Sequence, residues 1–147
     1  MVLPKLLYSA EIAVFSRPGK FYDRAVSIIE VLNTKTNCNC HIHDLADLTL
    51  LKETLKDSYI LINGTSVGMS PNTNQCIIPD TSFFHKDLVV ADVIYNPRET
   101  KLLTMAKEAG CDTFNGMYML LYQGAEAFRL WTDKDMPVEL IKERYFN

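Results

Sequence analysis

Segments that contain polar or glycine residues lie at the ends of three apolar stretches of this sequence, and several of their side chains are of kinds that bind phosphate and small polar molecules. An arginine can pair two N–H groups with one phosphate. Glycine, serine and threonine leave backbone groups open to a flat ring that approaches the chain closely. The three segments are residues 16–17, 63–69 and 93–97. We therefore expect a small-molecule site that is built from them.

Predicted strands and helices alternate along the chain. Short apolar runs bounded by turn residues are typical of strands, whereas apolar residues at intervals of three and four indicate amphipathic helices. Asp47 or Thr49 is placed to cap the second helix, and Gly110 suits the left-handed position that ends the third. The strands are predicted at residues 11–15, 40–43, 59–63, 87–95 and 111–114, and the helices at 21–32, 48–55, 99–109, 116–131 and 137–145.

This alternation with short connections predicts a single α/β domain with a mainly parallel sheet. Because residues 59–62 are apolar throughout, we expect both faces of that strand to be covered. The carboxyl ends of parallel strands lie at one edge of a sheet, where ligands bind in open α/β folds. The three polar segments are therefore expected at that edge.

The composition of the 147 residues is that of an ordinary globular protein, with 48% hydrophobic and 22% charged residues and a net charge of −3. No cluster of Lys and Arg marks a nucleic-acid or anionic membrane surface. No apolar run approaches the roughly 20 residues of a membrane helix, and the first residues do not have the order of a signal peptide. We therefore expect a cytoplasmic protein with no nucleic-acid or membrane partner.

Four potential zinc ligands lie close together in the sequence: Cys38, Cys40, His41 and His43. Because side chains alternate along a strand, the two cysteines would face one way and the two histidines the other. Four such ligands cannot converge on one ion from a single strand. A strand with buried thiols and surface histidines is therefore favoured over a metal site.

Three blocks of sequence carry a resemblance to a known family. They read Asn-Gly-Thr-Ser-Val-Gly-Met at residues 63–69, Asp-Val-Ile-Tyr-Asn-Pro at 92–97, and Asn-Gly-Met-Tyr-Met-Leu-Leu-Tyr-Gln-Gly-Ala-Glu-Ala-Phe at 115–128. In order and spacing they resemble the nucleotide-binding half of shikimate dehydrogenases, over almost the whole chain. The resemblance implies a Rossmann-like, doubly wound sheet. The reaction it implies is the NADP-dependent interconversion of 3-dehydroshikimate and shikimate in aromatic amino acid biosynthesis.

The resemblance also implies roles for particular residues. Arg17 matches a strand-end arginine, whose guanidinium can pair with the 2′-phosphate of NADP. Tyr95 matches the tyrosine that reaches the carboxylate region of shikimate, and Gln123 matches a glutamine that hydrogen-bonds substrate. Neither a catalytic residue nor a metal ligand is implied. The implied cofactor-binding residues are Ser16, Arg17, Asn63, Thr65, Ser66, Met69, Val93 and Gly116.

The sequence departs from the family pattern in two ways. Tyr118 stands where the family has a glycine beside the nicotinamide position, and would crowd the cofactor or fill space that a lost element left. Within residues 1–147 nothing matches the substrate domain with its catalytic lysine and aspartate, the first strand, or the glycine-rich phosphate loop; residues 3–10 resemble the tail of the helix after that loop. We therefore expect an incomplete, truncated NADP-binding domain that binds NADP weakly or not at all and is inactive alone.

Two other functions are also consistent with the sequence. The chain could be a non-catalytic interaction or regulatory module, or a folded remnant of a disrupted gene. In a doubly wound sheet of order 3-2-1-4-5-6, loss of the first strand exposes the edges of its two neighbours. The sequence therefore predicts a homodimer, or a missing complementary chain that fills the gap.

Overall fold

The computed structural model describes residues 11–146, so the helix tail predicted at residues 3–10 lies outside the described part of the chain. The chain forms two compact units, which divide between Thr54 and Leu55. All strand pairs in both units are parallel, which confirms the predicted α/β class with a mainly parallel sheet. Within the described residues, no helix is long and apolar enough to cross a membrane.

The first unit is a β-α-β arrangement. β1 (Glu11–Ser16) and β2 (Asn39–Asp44) pair in parallel and are joined by α1 (Tyr22–Lys35). α2 (Leu48–Lys56) follows, and its last two residues belong to the second unit. The Asp47 carboxylate accepts a hydrogen bond from the Leu50 N–H at 2.9 Å, so the aspartate is the cap that the structure uses. The core of this unit consists of Ile12, Val14, Ile29, Leu32, Cys38, Cys40 and Ile42.

The cysteine and histidine pairs lie on opposite sides of β2, as the predicted alternation requires. Cys38 and Cys40 are buried in the core, whereas the rings of His41 and His43 stack with centroids 6.3 Å apart. Among residues 11–146, no group of three or more His, Cys, Asp or Glu side chains is arranged to hold a metal ion.

The second unit contains a three-stranded parallel sheet in the order β3-β4-β5. Its elements are β3 (Ile60–Asn63), a single 3-10 turn (Thr81–Phe83), β4 (Val89–Asp92), α3 (Lys101–Glu108), β5 (Asp112–Phe114), α4 (Met117–Thr132) and α5 (Val138–Tyr145). Its largest fully buried apolar side chains are Ile78, Leu88, Val90 and Leu102.

One face of this sheet is well covered. The central strand β4 turns Val90 and Asp92 to that face, and both are buried. α3 packs against β4 and β5 with its own buried side chains Leu102 and Leu103. β4 is central because it pairs with both β3 and β5, and burial of this face under α3 stabilises the packing.

The opposite face is open within the described residues. Ile62, Ala91 and Phe114 lie side by side on it in register, and Ile62 and Phe114 are 58% and 62% exposed. Ile60 on the same face is 47% exposed. The prediction that both faces of residues 59–62 are covered is therefore wrong. An apolar run identifies a strand, but it does not identify which of its faces another element reaches.

Side-chain hydrogen bonds make two elements shorter than their patterns suggest. β4 ends at Asp92, not at residue 95, because the Asp92 carboxylate accepts from the Ile94 N–H at 3.0 Å and turns the chain. α3 begins at Lys101, not at residue 99, because the Thr100 side chain caps it. Gly110 has φ +86°, which confirms the predicted left-handed end of α3.

Candidate functional site

The carboxyl ends of β3 and β4 border an open cleft of about 370 Å³, which we call the β3–β4 cleft. The loop after β3 forms one wall and the loop after β4 forms the other. The N–H of Ser70 donates to the carbonyl oxygen of Asn96 at 3.1 Å and joins the two walls. The cleft is lined by Gly64, Thr65, Ser66, Met69, Ser70, Val93, Ile94, Tyr95 and Asn96.

A buried polar cluster supports the cleft from below, and we call it the Asp92 cluster. It consists of Asn63 at the end of β3, Asp92 at the end of β4 and Thr100 at the start of α3, each at most 2% exposed. The Asp92 carboxylate accepts from Asn63 Nδ2 at 3.1 Å and from Thr100 Oγ1 at 2.7 Å. Buried polar groups are tolerated when they are paired, as these are.

The wall after β3 is shaped by the other end of the Asn63 amide. Asn63 Oδ1 accepts from the Thr65 N–H at 3.0 Å and from Thr65 Oγ1 at 2.8 Å. Thr65 Oγ1 accepts in turn from the Val67 N–H at 3.1 Å. Gly68 then has φ +96°, a backbone angle that residues with side chains rarely adopt, and the chain turns there. Asn63 itself is buried, so it shapes the cleft instead of lining it.

Gly116 lies behind the wall after β4, where two segments of backbone meet. Its N–H donates to the Ile94 carbonyl oxygen at 2.9 Å. A Cβ at this position would overlap the Val93 carbonyl oxygen and lie 2.5 Å from the carbonyl carbon. Only glycine allows this approach. Because its φ is −75°, the requirement is one of space and not of backbone conformation.

Most of the predicted site residues of the second unit converge on the β3–β4 cleft. Thr65, Ser66, Met69, Val93 and Tyr95 line it, while Asn63 and Gly116 pack behind its walls. The other three predicted residues lie elsewhere. Gln123 is exposed on α4 and does not line the cleft. In the first unit, Ser16 is the last residue of β1 and Arg17 follows it.

Tyr118, the departure from the family pattern, belongs to an aromatic group between α4 and α5. Its ring stacks on Tyr122 with centroids 6.3 Å apart and contacts Phe146 at 6.0 Å. The Lys142 Nζ lies 5.5 Å from its ring centroid. Tyr118 is 47% exposed and is not among the residues that line the cleft.

Six residues of the site were not among the site residues predicted individually from the sequence. Gly64, Ser70, Ile94 and Asn96 complete the lining, and Asp92 and Thr100 support it. One signal was available for Asp92: an acid at the end of an otherwise apolar strand must find hydrogen-bond donors if it is buried. Nothing local indicated that Thr100 would supply one of them.

The lining offers hydroxyl groups and backbone groups, but little acid–base chemistry. Of the nine lining residues, Tyr95 is the only titratable one, and it is 46% exposed. Burial raises the pKa of the nearby Cys76 thiol above its usual value, so it stays protonated at neutral pH and is a poor nucleophile. The lining therefore presents hydroxyl and backbone groups beside apolar side chains.

A parallel α/β sheet with a cleft at the carboxyl ends of its strands is typical of Rossmann-like folds. Comparison with known proteins agrees and is more specific. Residues 116–144 match the family model for the shikimate 5'-dehydrogenase C-terminal domain. The chain is 43% identical over 136 residues to a shikimate dehydrogenase (NADP(+)) of Listeria innocua. That alignment covers 92% of the chain and 47% of the relative.

Two further relatives support the same assignment. A quinate/shikimate dehydrogenase of Escherichia coli is 45% identical over 90% of the chain and 46% of its own length. The crystal structure of the Listeria monocytogenes shikimate 5-dehydrogenase with shikimate and NAD superposes with a TM-score of 0.84, at 42% identity, over 91% of the chain and 46% of that structure. The chain is therefore similar to the C-terminal part of shikimate dehydrogenases, and it spans about half the length of the relatives that it matches.

Proposed function

We propose that this chain supplies the cofactor-binding half of an NADP-dependent shikimate dehydrogenase site. The observation that carries the proposal is the β3–β4 cleft, whose walls are formed by two of the segments that resemble the family. The relatives support the substrate and cofactor classes: one is described as NADP-dependent, and another was solved with shikimate and NAD.

The cleft suits one edge of a nicotinamide ring and a bound polar acid. A Cβ at Gly64 would meet nothing within 4 Å, so the wall is open where a flat ring would lie. The hydroxyl groups of Thr65, Ser66 and Tyr95 offer hydrogen bonds at the same opening. A bound NADP would supply the hydride acceptor, and the residues of the chain would orient ring and substrate against each other.

Removal of the Tyr95 hydroxyl tests the substrate side of this proposal. We expect shikimate to shift the NMR signals of the Thr65, Ser66, Val93 and Tyr95 amides, and Tyr95→Phe to weaken its binding roughly 10-fold or more, because a hydrogen bond to a charged group is lost. Tyr59→Phe is the matched control, since Tyr59 is 77% exposed and does not line the cleft. Equal affinity of the two variants, or shifts confined to other residues, would contradict the proposed site.

A second prediction concerns the choice between NADP and NAD. Arg17 is exposed after β1, where a guanidinium could pair with a 2′-phosphate. We propose weak NADP binding, on the order of millimolar or weaker, because residues 1–147 contain no glycine-rich loop to hold the pyrophosphate. Titration should give a lower dissociation constant for NADP than for NAD. Arg17→Ala should abolish this preference, whereas Arg24→Ala, on α1, should leave it unchanged. A micromolar dissociation constant, or a preference that survives Arg17→Ala, would be inconsistent with this assignment.

One observation favours a second role as an interaction module, which would bind a partner through the open sheet face. Ile60, Ile62 and Phe114 expose apolar area that association would remove from water, at roughly 25 cal/mol per Å². β3 pairs only with β4 among the described strands, so its other edge also has unpaired backbone groups. A second copy of the chain is the partner we propose, as expected from the sequence.

Self-association can be measured directly. At high micromolar concentration, light scattering should give a mass well above the 16.8 kDa of one chain. Ile62→Lys places a charge on the open face and should restore the monomer, whereas Ile28→Lys is the control, because Ile28 is 50% exposed on α1. A monomer mass for the unmodified chain would exclude the homodimer. If Ile62→Lys and Ile28→Lys have the same mass in solution, the interface does not lie on this face.

A further inference from the structure

We propose that Asp92 is the positioning residue of the β3–β4 cleft and that its carboxylate fixes the conformation of both walls. This inference concerns the cleft of the proposed function, but it is tested without a ligand. It rests on the hydrogen bonds that connect a single buried side chain to the two loops.

The setting of Asp92 requires that its oxygens be paired. The residue is 2% exposed at the end of the central strand, and a carboxylate taken out of water is costly unless donors surround it. Its Oδ1 accepts from Asn63 Nδ2 at 3.1 Å and from the Ile94 N–H at 3.0 Å, and its Oδ2 accepts from Thr100 Oγ1 at 2.7 Å. The two acceptor oxygens therefore serve different parts of the unit: Oδ1 serves the cleft walls, and Oδ2 serves the start of α3.

The chemistry of a carboxylate gives the arrangement a direction. The Asp92 oxygens act as acceptors in all three of these hydrogen bonds, and the Asn63 amide presents its NH₂ group to one of them. Its carbonyl oxygen is then turned toward Thr65, where it accepts from both the N–H and the hydroxyl group. The Thr65 hydroxyl oxygen is consequently placed to accept from the Val67 N–H. One carboxylate thus sets the orientation of an amide, and the amide sets the path of the loop.

The wall after β4 depends on the same oxygen. The bond from the Ile94 N–H to Asp92 Oδ1 turns the chain directly after the strand, and it places Val93 and Ile94 along the cleft. Both walls therefore share one anchor. A residue that acts only through overall stability would not distinguish these loop amides from the rest of the unit.

Hydrogen exchange of single amides separates these two roles. In Asp92→Ala we expect the Thr65, Val67 and Ile94 amides to exchange about 5- to 30-fold faster relative to the Ala106 amide inside α3, because each loses the anchor of its bond. Asn63→Ala should accelerate Thr65 and Val67 only, since Ile94 bonds to Asp92 directly. Asp92→Asn, with its amide oxygen toward Ile94, should keep that bond.

Thr100→Val is the matched control, because it removes the bond to Oδ2 and weakens the cap of α3 without touching Oδ1. It should lower overall stability and leave the three loop amides unchanged relative to Ala106. If Asp92→Ala does not fold, the other two variants still test the proposal: Asn63→Ala should accelerate exchange of the Thr65 and Val67 amides, and Thr100→Val should not. Equal acceleration of loop and reference amides, or loop acceleration in Thr100→Val, would overturn the proposal. Failure of shikimate to bind would count against the proposed function alone.

Discussion

Replacing Gly116 with alanine should lower the free energy of unfolding of the second unit by about 3 kcal/mol, at the upper end of what overpacking usually costs. The added Cβ would overlap the Val93 carbonyl group and lie 3.0 Å from the Ile94 carbonyl carbon. Both obstacles are backbone, so no side-chain rotation can relieve them. The wall after β4 would have to move, and the hydrogen bond from the Gly116 N–H to Ile94 would be strained.

Gly124 provides the control for this substitution. It lies in the same stretch of chain, inside α4, and a Cβ there would meet nothing within 4 Å. Gly124→Ala should therefore stabilise the protein by about 0.5–1 kcal/mol, because alanine restricts the unfolded chain and favours the helix. Urea unfolding of both variants should show midpoints that move in opposite directions. If both midpoints shift in the same direction, the lack of space around Gly116 does not explain why glycine is required there.

The positions of the helices and strands could be predicted well because they depend on local patterns. The spacing of apolar residues placed α1 and α4 to within a few residues, and the turn residue Gly110 placed the end of α3. The alternation of side chains also placed the two cysteines and the two histidines on opposite sides of β2. Such features are decided by residues a few positions apart, which a single sequence displays.

The parts that the sequence did not reveal are those decided by distant contacts. Gly116 could be singled out by resemblance, but its physical reason, the closeness of the Val93 carbonyl group, joins segments far apart in the chain. Asp92 and Thr100 meet only because α3 packs on β4. The open face of β3 depends on which other elements reach it, and an apolar run carries no record of that.

Catalysis should be absent when these 147 residues act alone, and this is the largest effect that we expect. Oxidation of an alcohol to a ketone releases a proton as well as a hydride, so a group of suitable pKa must accept that proton. Of the residues that line the cleft, Tyr95 is the only titratable one, and the buried Asp92 carboxylate is engaged by three donors. We therefore expect these 147 residues alone to show no turnover of shikimate with NADP above background. The measurement is the rate of NADPH formation followed by absorbance with purified protein.

A chimera shows whether the missing element is the proton acceptor or the cleft itself. The 147 residues would replace the matching part of the Listeria monocytogenes relative, so that the remaining half of that enzyme supplies its own residues. If the cleft is competent, the chimera should turn over shikimate at least about 10²-fold above the chain alone, the scale of general acid–base catalysis. Tyr95→Phe in the chimera should then raise the KM for shikimate, whereas Tyr59→Phe should leave it unchanged. An inactive but folded chimera would argue against a working cleft. Turnover by the chain alone would contradict the need for a further residue, and it would direct mutagenesis first to Tyr95 and Asp92.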